Sequence, residues 1–338
     1  SGSEDQATLT CNASTVSLGS ARTSSFALVV NQGGTFTGGS GNHTIGSIDV
    51  KSNSNAKCTL TSAVTTINGE HAGDNKALEI GTNATFAHGG GTVTHTLTAN
   101  TQYNRTGGVV ALNNFIQNNN SNLQVSPSLT CAGDFTLTAG EFDTSGSSYA
   151  VTVTGDTAIN GGTFNGNASA IFFGSLTIAS GGTYSATSGT TTITNETSGG
   201  FAINNDGTFT HNKGTVKIDY DTSTNLDITG TGGVDLYNLI VDSDATVGYN
   251  TAVIENNLTK QGSGLMRPSG DSGRDLTVKG TFLMQAGSFG RGANDTHTNT
   301  FGNIVVEGGE LILTGGGGSG KTIVNGVFRN VGGTITSH

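Results

Sequence analysis

Short runs in which apolar and polar residues take turns recur along the chain, as in Phe135-Thr136-Leu137-Thr138, Val151-Thr152-Val153-Thr154 and Leu176-Thr177-Ile178. A period of two sends Phe, Val, Leu and Ile to one face of an extended strand and Thr to the other. The runs are punctuated by glycine followed by Thr, Glu or Ser and then a large apolar residue. This motif appears at Gly34-Thr35-Phe36, Gly140-Glu141-Phe142, Gly162-Thr163-Phe164, Gly182-Thr183-Tyr184, Gly207-Thr208-Phe209, Gly287-Ser288-Phe289, Gly309-Glu310-Leu311 and Gly333-Thr334-Ile335. From Phe142 the motif returns after 22, 20 and 25 residues, and from Phe289 after 22 and 24. No stretch keeps a 3.6-residue period, and β-branched residues crowd the sequence. The pattern predicts an all-β protein, a right-handed parallel β-helix (β-solenoid) with about 20–25 residues per coil. Glycines belong at its corners, where a positive φ is needed or neighbouring backbones come close.

A longer repeat is laid over the coil. Ala84-Thr85-Phe86-Ala87-His88 through Gly91-Thr92-Val93 aligns without a gap on Gly207-Thr208-Phe209-Thr210-His211 through Gly214-Thr215-Val216, 123 residues on. The two copies, 86–164 and 209–289, are super-repeats of about 80 residues, and a partial copy runs to 338. Residues 31–338 are therefore read as the solenoid. Residues 1–30 match the repeat poorly and are read as an N-terminal cap, tether or subunit contact.

Composition narrows the setting. Glycine fills 54 of 338 positions, charged residues make up 11%, and the net charge is −10. With only 14 Lys and Arg, nucleic acid is excluded as a partner. No apolar run reaches the roughly 20 residues of a membrane helix, so no membrane insertion is expected. The chain lacks an initiating Met and a signal-like segment, as a processed product or a fragment would. Cys11, Cys58 and Cys131 sit at strand-like positions and read as buried small hydrophobes, although one disulfide with a spare thiol also fits their number.

Few residues point to chemistry. Gly315 to Thr322 satisfies the phosphate-loop pattern G-x4-G-K-[ST], but a strand-like segment (Ile323-Val324-Asn325) follows it where the phosphate loop needs a helix, so it reads as a corner turn. Asp219, Asp221, Asp242 and Asp244 are the calcium candidates, as hard oxygen ligands on one outward face; otherwise no cofactor is expected. Arg267, Asp271, Arg274 and Asp275 lie in an insertion that breaks the repeat, a candidate surface contact. They are not expected to form the converging acid and base that β-helical polysaccharide lyases and glycosidases use, so the chain is read as non-enzymatic. His88 and His211, equivalent in the two copies, are assigned to polar corners. Thr92, Thr94, Thr96 and Thr98, with Thr190, Thr192 and Thr194, resemble the threonine ladders of ice-binding proteins, but serine, aspartate and lysine interrupt them.

The succession Gly207-Thr208-Phe209-Thr210, Gly214-Thr215-Val216, Asn238-Leu239-Ile240-Val241, Asn257-Leu258-Thr259 and Leu276-Thr277-Val278-Lys279-Gly280 resembles the repeats of very large surface and fibre-like β-solenoids of bacteria and tailed phages. Gly33 to Ile45 looks particularly like structural proteins of marine tailed phages, and the resemblance covers about residues 33–338. It implies an extracellular or virion-surface rod, a fibre, spike or decoration component with a role in host-surface attachment. Expected partners are other copies of itself, other virion or surface proteins, and cell-surface glycans. A secreted bacterial adhesin or a self-assembling extracellular filament subunit is the alternative. The resemblance carries over no catalytic residue.

Overall fold

The computed structural model describes residues 7–19, 24–52, 55–144, 146–226, 235–249, 251–268, 274–290, 296–313 and 320–337. The chain divides into two compact units, residues 1–170 and 171–338. The described residues hold strands and turns and no helix, and every pairing between strands is parallel. Each unit is a parallel β-solenoid, with three strands per coil and each strand hydrogen-bonded to its counterparts in the coils before and after.

In the first unit, one inward column runs Ile45, Ile67, His95, Gln117, Leu137 and Ile159. A second passes from Leu28 through Ile48, Leu78 and Tyr103 to Val125. Aromatic rings fill the middle: the Phe135 ring centroid lies 5.6 Å from Phe115, 4.9 Å from Phe142 and 5.6 Å from Phe164. In the second unit the corresponding column is Ile193, Ile218, Val241, Lys260, Met284 and Val306. Alternation therefore does what the sequence pattern implies, burying one apolar face per strand and leaving the backbone to pair along the stack.

Two features corner the coils. The first is steric. Gly140 and Gly162, and likewise Gly262, Gly287 and Gly309, have φ between +68° and +78°. A Cβ at Gly162 would fall 2.8 Å from Gly140 N and the Ala139 carbonyl carbon, and closer still to Gly140 O. Both reasons for glycine, left-handed backbone and close approach, act at the same atom. The second is a ladder of Asn and Asp side chains that accept backbone N–H groups one coil further on. Asn114 Oδ1 accepts from Asp134 N at 2.9 Å, and Asp134 Oδ1 from Asp156 N at 2.9 Å. Asn257 takes Thr281 N and Asn303 takes Val327 N, each at 2.9 Å. A corner has no strand partner for these donors, and the side chain supplies one.

Two details go beyond the sequence pattern. The strands before residue 31 are not separate from the solenoid. Thr8–Thr10, Val16–Leu18 and Leu28–Val30 pair in parallel with Thr35–Thr37, His43–Ile45 and Ile48–Val50, so residues 8–30 already form a coil. The coils also vary in length more than the spacing of the glycine motif implies. The coil that brings Asp235 onto Val253 is short, whereas the one that brings Ile48 onto Leu78 is much longer. The long coil holds an excursion over 68–76, closed by an antiparallel bridge between His71 and Lys76. Extra residues are taken up at corners and as register shifts within the ladders, as where Gln102 faces Lys76 but Tyr103 faces Leu78.

Candidate functional site

The aspartates proposed as calcium ligands lie where strands meet a corner of the second unit. Lys217 Nζ stands 2.9 Å from Asp219 and 2.8 Å from Asp242, bridging successive coils. Its ammonium holds the Asp242 carboxyl below the usual carboxylate range. Asp244 Oδ1 accepts from Ser263 N at 2.7 Å and Ser263 Oγ at 2.9 Å, and these bonds lower its pKa likewise. Asp221 is exposed at the turn beyond Asp219. The corner thus brings Asp219 and Asp242 together around an ammonium, while Asp244 fastens the following turn. No group of three or more His, Cys, Asp or Glu side chains with metal-binding geometry occurs among the described residues.

The 266–275 insertion is only partly described: Asp271 lies outside the described residues, as do Gly315–Ser319 of the phosphate-loop match. Leu265–Pro268 is a strand, with exposed Arg267 opposite Gly248. On the far side, Arg274 N donates to His297 Nδ1 at 3.0 Å and Asp275 Oδ1 accepts from Thr298 N at 2.8 Å. Arg274 and Asp275 are thereby anchored on the next coil. Lys321–Val324, which follows the glycines, is a strand paired with Thr298–Phe301 rather than a helix.

The two repeat histidines occupy polar corners as expected. His88 Nδ1 accepts from Gly90 N and His211 Nδ1 from Lys213 N, both at 2.9 Å. Gly89 and Gly90 have positive φ, and so do their counterparts Asn212 and Lys213. The threonine ladders are short. Thr44, Thr66 and Thr94 stack, but Ser17 and Ile116 close the column, and Thr192 is flanked by Phe172 and Lys217. All three cysteines are free and buried, and burial pushes the Cys58 and Cys131 thiols up to about 12, which keeps them protonated and unreactive.

Sequence reasoning missed two buried titratable groups. His95 takes an inward position, with Nε2 3.1 Å from Thr101 Oγ1 and Nδ1 3.2 Å from the Tyr103 hydroxyl. Burial lowers its pKa to about 3, against about 6.5 unfolded. Between these values the unfolded chain binds a proton that the folded chain refuses, so stability falls as pH drops from about 6.5 to 3. The His95→Gln variant is expected to lose this acid sensitivity, measured as the difference in urea midpoint between pH 7 and pH 4.5. Lys260 lies inward between Val241 and Met284, and its ammonium donates to the Gln261 and Gly262 carbonyls, both at 2.7 Å. Burial pulls its pKa down to about 8, against the opposing pull of Asp242 and Asp244. Here stability rises with pH between about 8 and 10.5, because only the unfolded chain is protonated there. Lys260→Met is expected to stabilise the fold at pH 7 by about 1 kcal/mol, read as a higher Tm, and to flatten that alkaline rise in a thermal melt series.

Two further clusters also escaped the sequence. Around the 68–76 excursion, His71 Nδ1 lies 2.6 Å from Asp74, and Lys76 Nζ lies 3.1 Å from Asp74 and 2.6 Å from Glu79. Asp49, in register with Glu79, pairs with Lys51, and the His71 ring stacks on Phe26 at 4.8 Å. This network alternates sign and secures the excursion. Beside it, two cavities of about 230 and 200 Å³ share Gln102 and Gln124 as walls. Asn75, Asn100, Thr101 and Asn122 complete the first, while Val125, Ser126, Ser147 and Tyr149 complete the second. Gln102 and Gln124 are register partners on adjacent coils, so the two hollows open along one face of the first unit.

Comparison with family models, with curated proteins and with solved structures finds no match for this chain. No helix among the described residues is long and apolar enough to cross a membrane.

Proposed function

We propose that this chain is a non-enzymatic structural β-solenoid, a component of a virion fibre, spike or decoration that also takes part in attachment to a host surface. One observation carries the reading: the polar side chains best suited to chemistry hold one coil to the next. Asn114, Asp134, Asn257 and Asn303 fasten corners, Lys217 ties Asp219 to Asp242, and Lys279 Nζ pairs with Glu255 across coils at 2.6 Å. Within each unit such a stack resists bending because its strands are hydrogen-bonded to the coils before and after and its corners are tied by side chains. That is the mechanical property a fibre or spacer requires. Its place is then extracellular or on the virion surface.

A second reading is a secreted bacterial adhesin or a self-assembling extracellular filament subunit, in which the same coil-to-coil ties of Lys217 and Lys279 would stiffen the stack.

Immunogold electron microscopy of the native source, with antibody to this chain, decides between them. Gold on virus particles supports the virion component, whereas gold on cell surfaces or free filaments removes it and promotes the adhesin or filament subunit.

A further inference from the structure

We infer that the amide-lined groove of the first unit binds a neutral oligosaccharide. This rests on the attachment part of the reading above and gives it an address.

The argument starts with what the walls offer. Asn75, Asn100, Gln102, Asn122 and Gln124 present primary amides, each with donors and an acceptor in a fixed fork. A sugar hydroxyl is also donor and acceptor, so neighbouring hydroxyls on a ring meet complementary partners on an amide. The residues lining the two hollows include no Lys, Arg, Asp or Glu. Lys76, the register partner of Gln102, is taken up by Asp74 and Glu79, so phosphates, sulfates, sialic acids and uronic acids find no cation to pair with there, in a chain whose net charge is −10.

Position and order support the same ligand. Gln102 and Gln124 stand on successive coils, about 4.8 Å apart along the stack, a step comparable with the length of one sugar ring. Several of these side chains are already oriented. Asn100 Oδ1 accepts from Asn122 N at 3.1 Å, and Gln124 Nε2 donates to Asp143 Oδ2 at 3.3 Å. At the far end the second hollow is lined by Tyr149, whose hydroxyl pKa is lowered by Ser126 and Ser147. An aromatic ring at that place presents a flat apolar face to the C–H side of a pyranose. A chain of two or three neutral sugars would lie along the stack, its hydroxyls on the glutamines and asparagines and one ring against Tyr149.

The test uses the full chain, fluorescently labelled, on an array of neutral, sulfated and sialylated oligosaccharides, with Gln102→Ala/Gln124→Ala and Tyr149→Ala compared with wild type. The expected result is binding confined to neutral glycans and weakened at least tenfold in both variants. Thr183→Ala, in the second unit, should bind as wild type does, and melting curves should show all three variants folded. The inference is overturned if no neutral glycan binds, if the sulfated or sialylated ones bind instead, or if the groove variants bind as wild type does. Gold on virions together with an empty array removes the groove while leaving the virion reading standing. Neutral-glycan binding that the groove variants lose, without gold on virions, does the reverse.

Discussion

Replacing Gly162 by alanine should cost the first unit about 3 kcal/mol or more, lowering the urea midpoint sharply or leaving the protein insoluble. The left-handed backbone accounts for about 1–2 kcal/mol of this, since any L-residue with a Cβ resists a φ of +74°. The rest is steric. The new methyl would press on the backbone of Ala139 and Gly140 in the coil before, where no flexible side chain can move aside. Gly90 separates the two terms. Its φ is +84°, yet a Cβ there meets nothing within 4 Å, and its counterpart in the second repeat is Lys213 at φ +61°. Gly90→Ala should therefore lose only about 1 kcal/mol. Equal losses for the two variants would show that coil-to-coil contact at Gly162 is unimportant.

Phe135→Ala is expected to be nearly as damaging, at about 3–5 kcal/mol. The ring is fully buried and touches Phe115, Phe142 and Phe164, which come from the preceding coil, its own coil and the following one. Backbone hydrogen bonds fix the spacing of those coils, so the walls of the cavity can relax little. Phe135→Leu, which fills most of the space, should recover more than half of the loss. Chemical denaturation of the three proteins checks the order, and an alanine variant close to wild type would mean that the stack closes over the hole.

The coil, the glycine corners and the inward faces were legible because each is a local pattern. Gly162-Thr163-Phe164 specifies a turn and an inward ring within three residues. His88 and His211 could be placed in corners because they are followed by glycines in one copy and by Asn212-Lys213 in the other. The first coil was missed since Thr8–Thr10, Val16–Leu18 and Leu28–Val30 are only three residues long, and the first lacks the glycine that marks later ones. His95 was readable and overlooked: Val93 faces inward, so the residue two further on must do the same. The groove was out of reach. Gln102 meets Gln124 only because the coil between them closes where it does. The coil from Asp235 to Val253 is shorter and that from Ile48 to Leu78 longer, and nothing local announces which length applies. Lys217 between Asp219 and Asp242 depends on the same unknown.

A stack of nearly identical rungs faces a counting problem, because a strand that pairs one coil too early buries almost the same apolar area. The few unlike rungs mark the count. In the column Ile67, His95, Gln117, Leu137, a displaced Gln117 would lose the Glu141 carbonyl of the next coil, to which its Nε2 donates at 2.9 Å. Ser121 would likewise leave the Leu97 carbonyl of the preceding coil, to which its buried hydroxyl donates at 2.9 Å. Each misalignment costs buried hydrogen bonds that an all-aliphatic column would never have had to lose. Polar residues that weaken the stack locally thus act as page numbers, telling otherwise interchangeable coils where they belong.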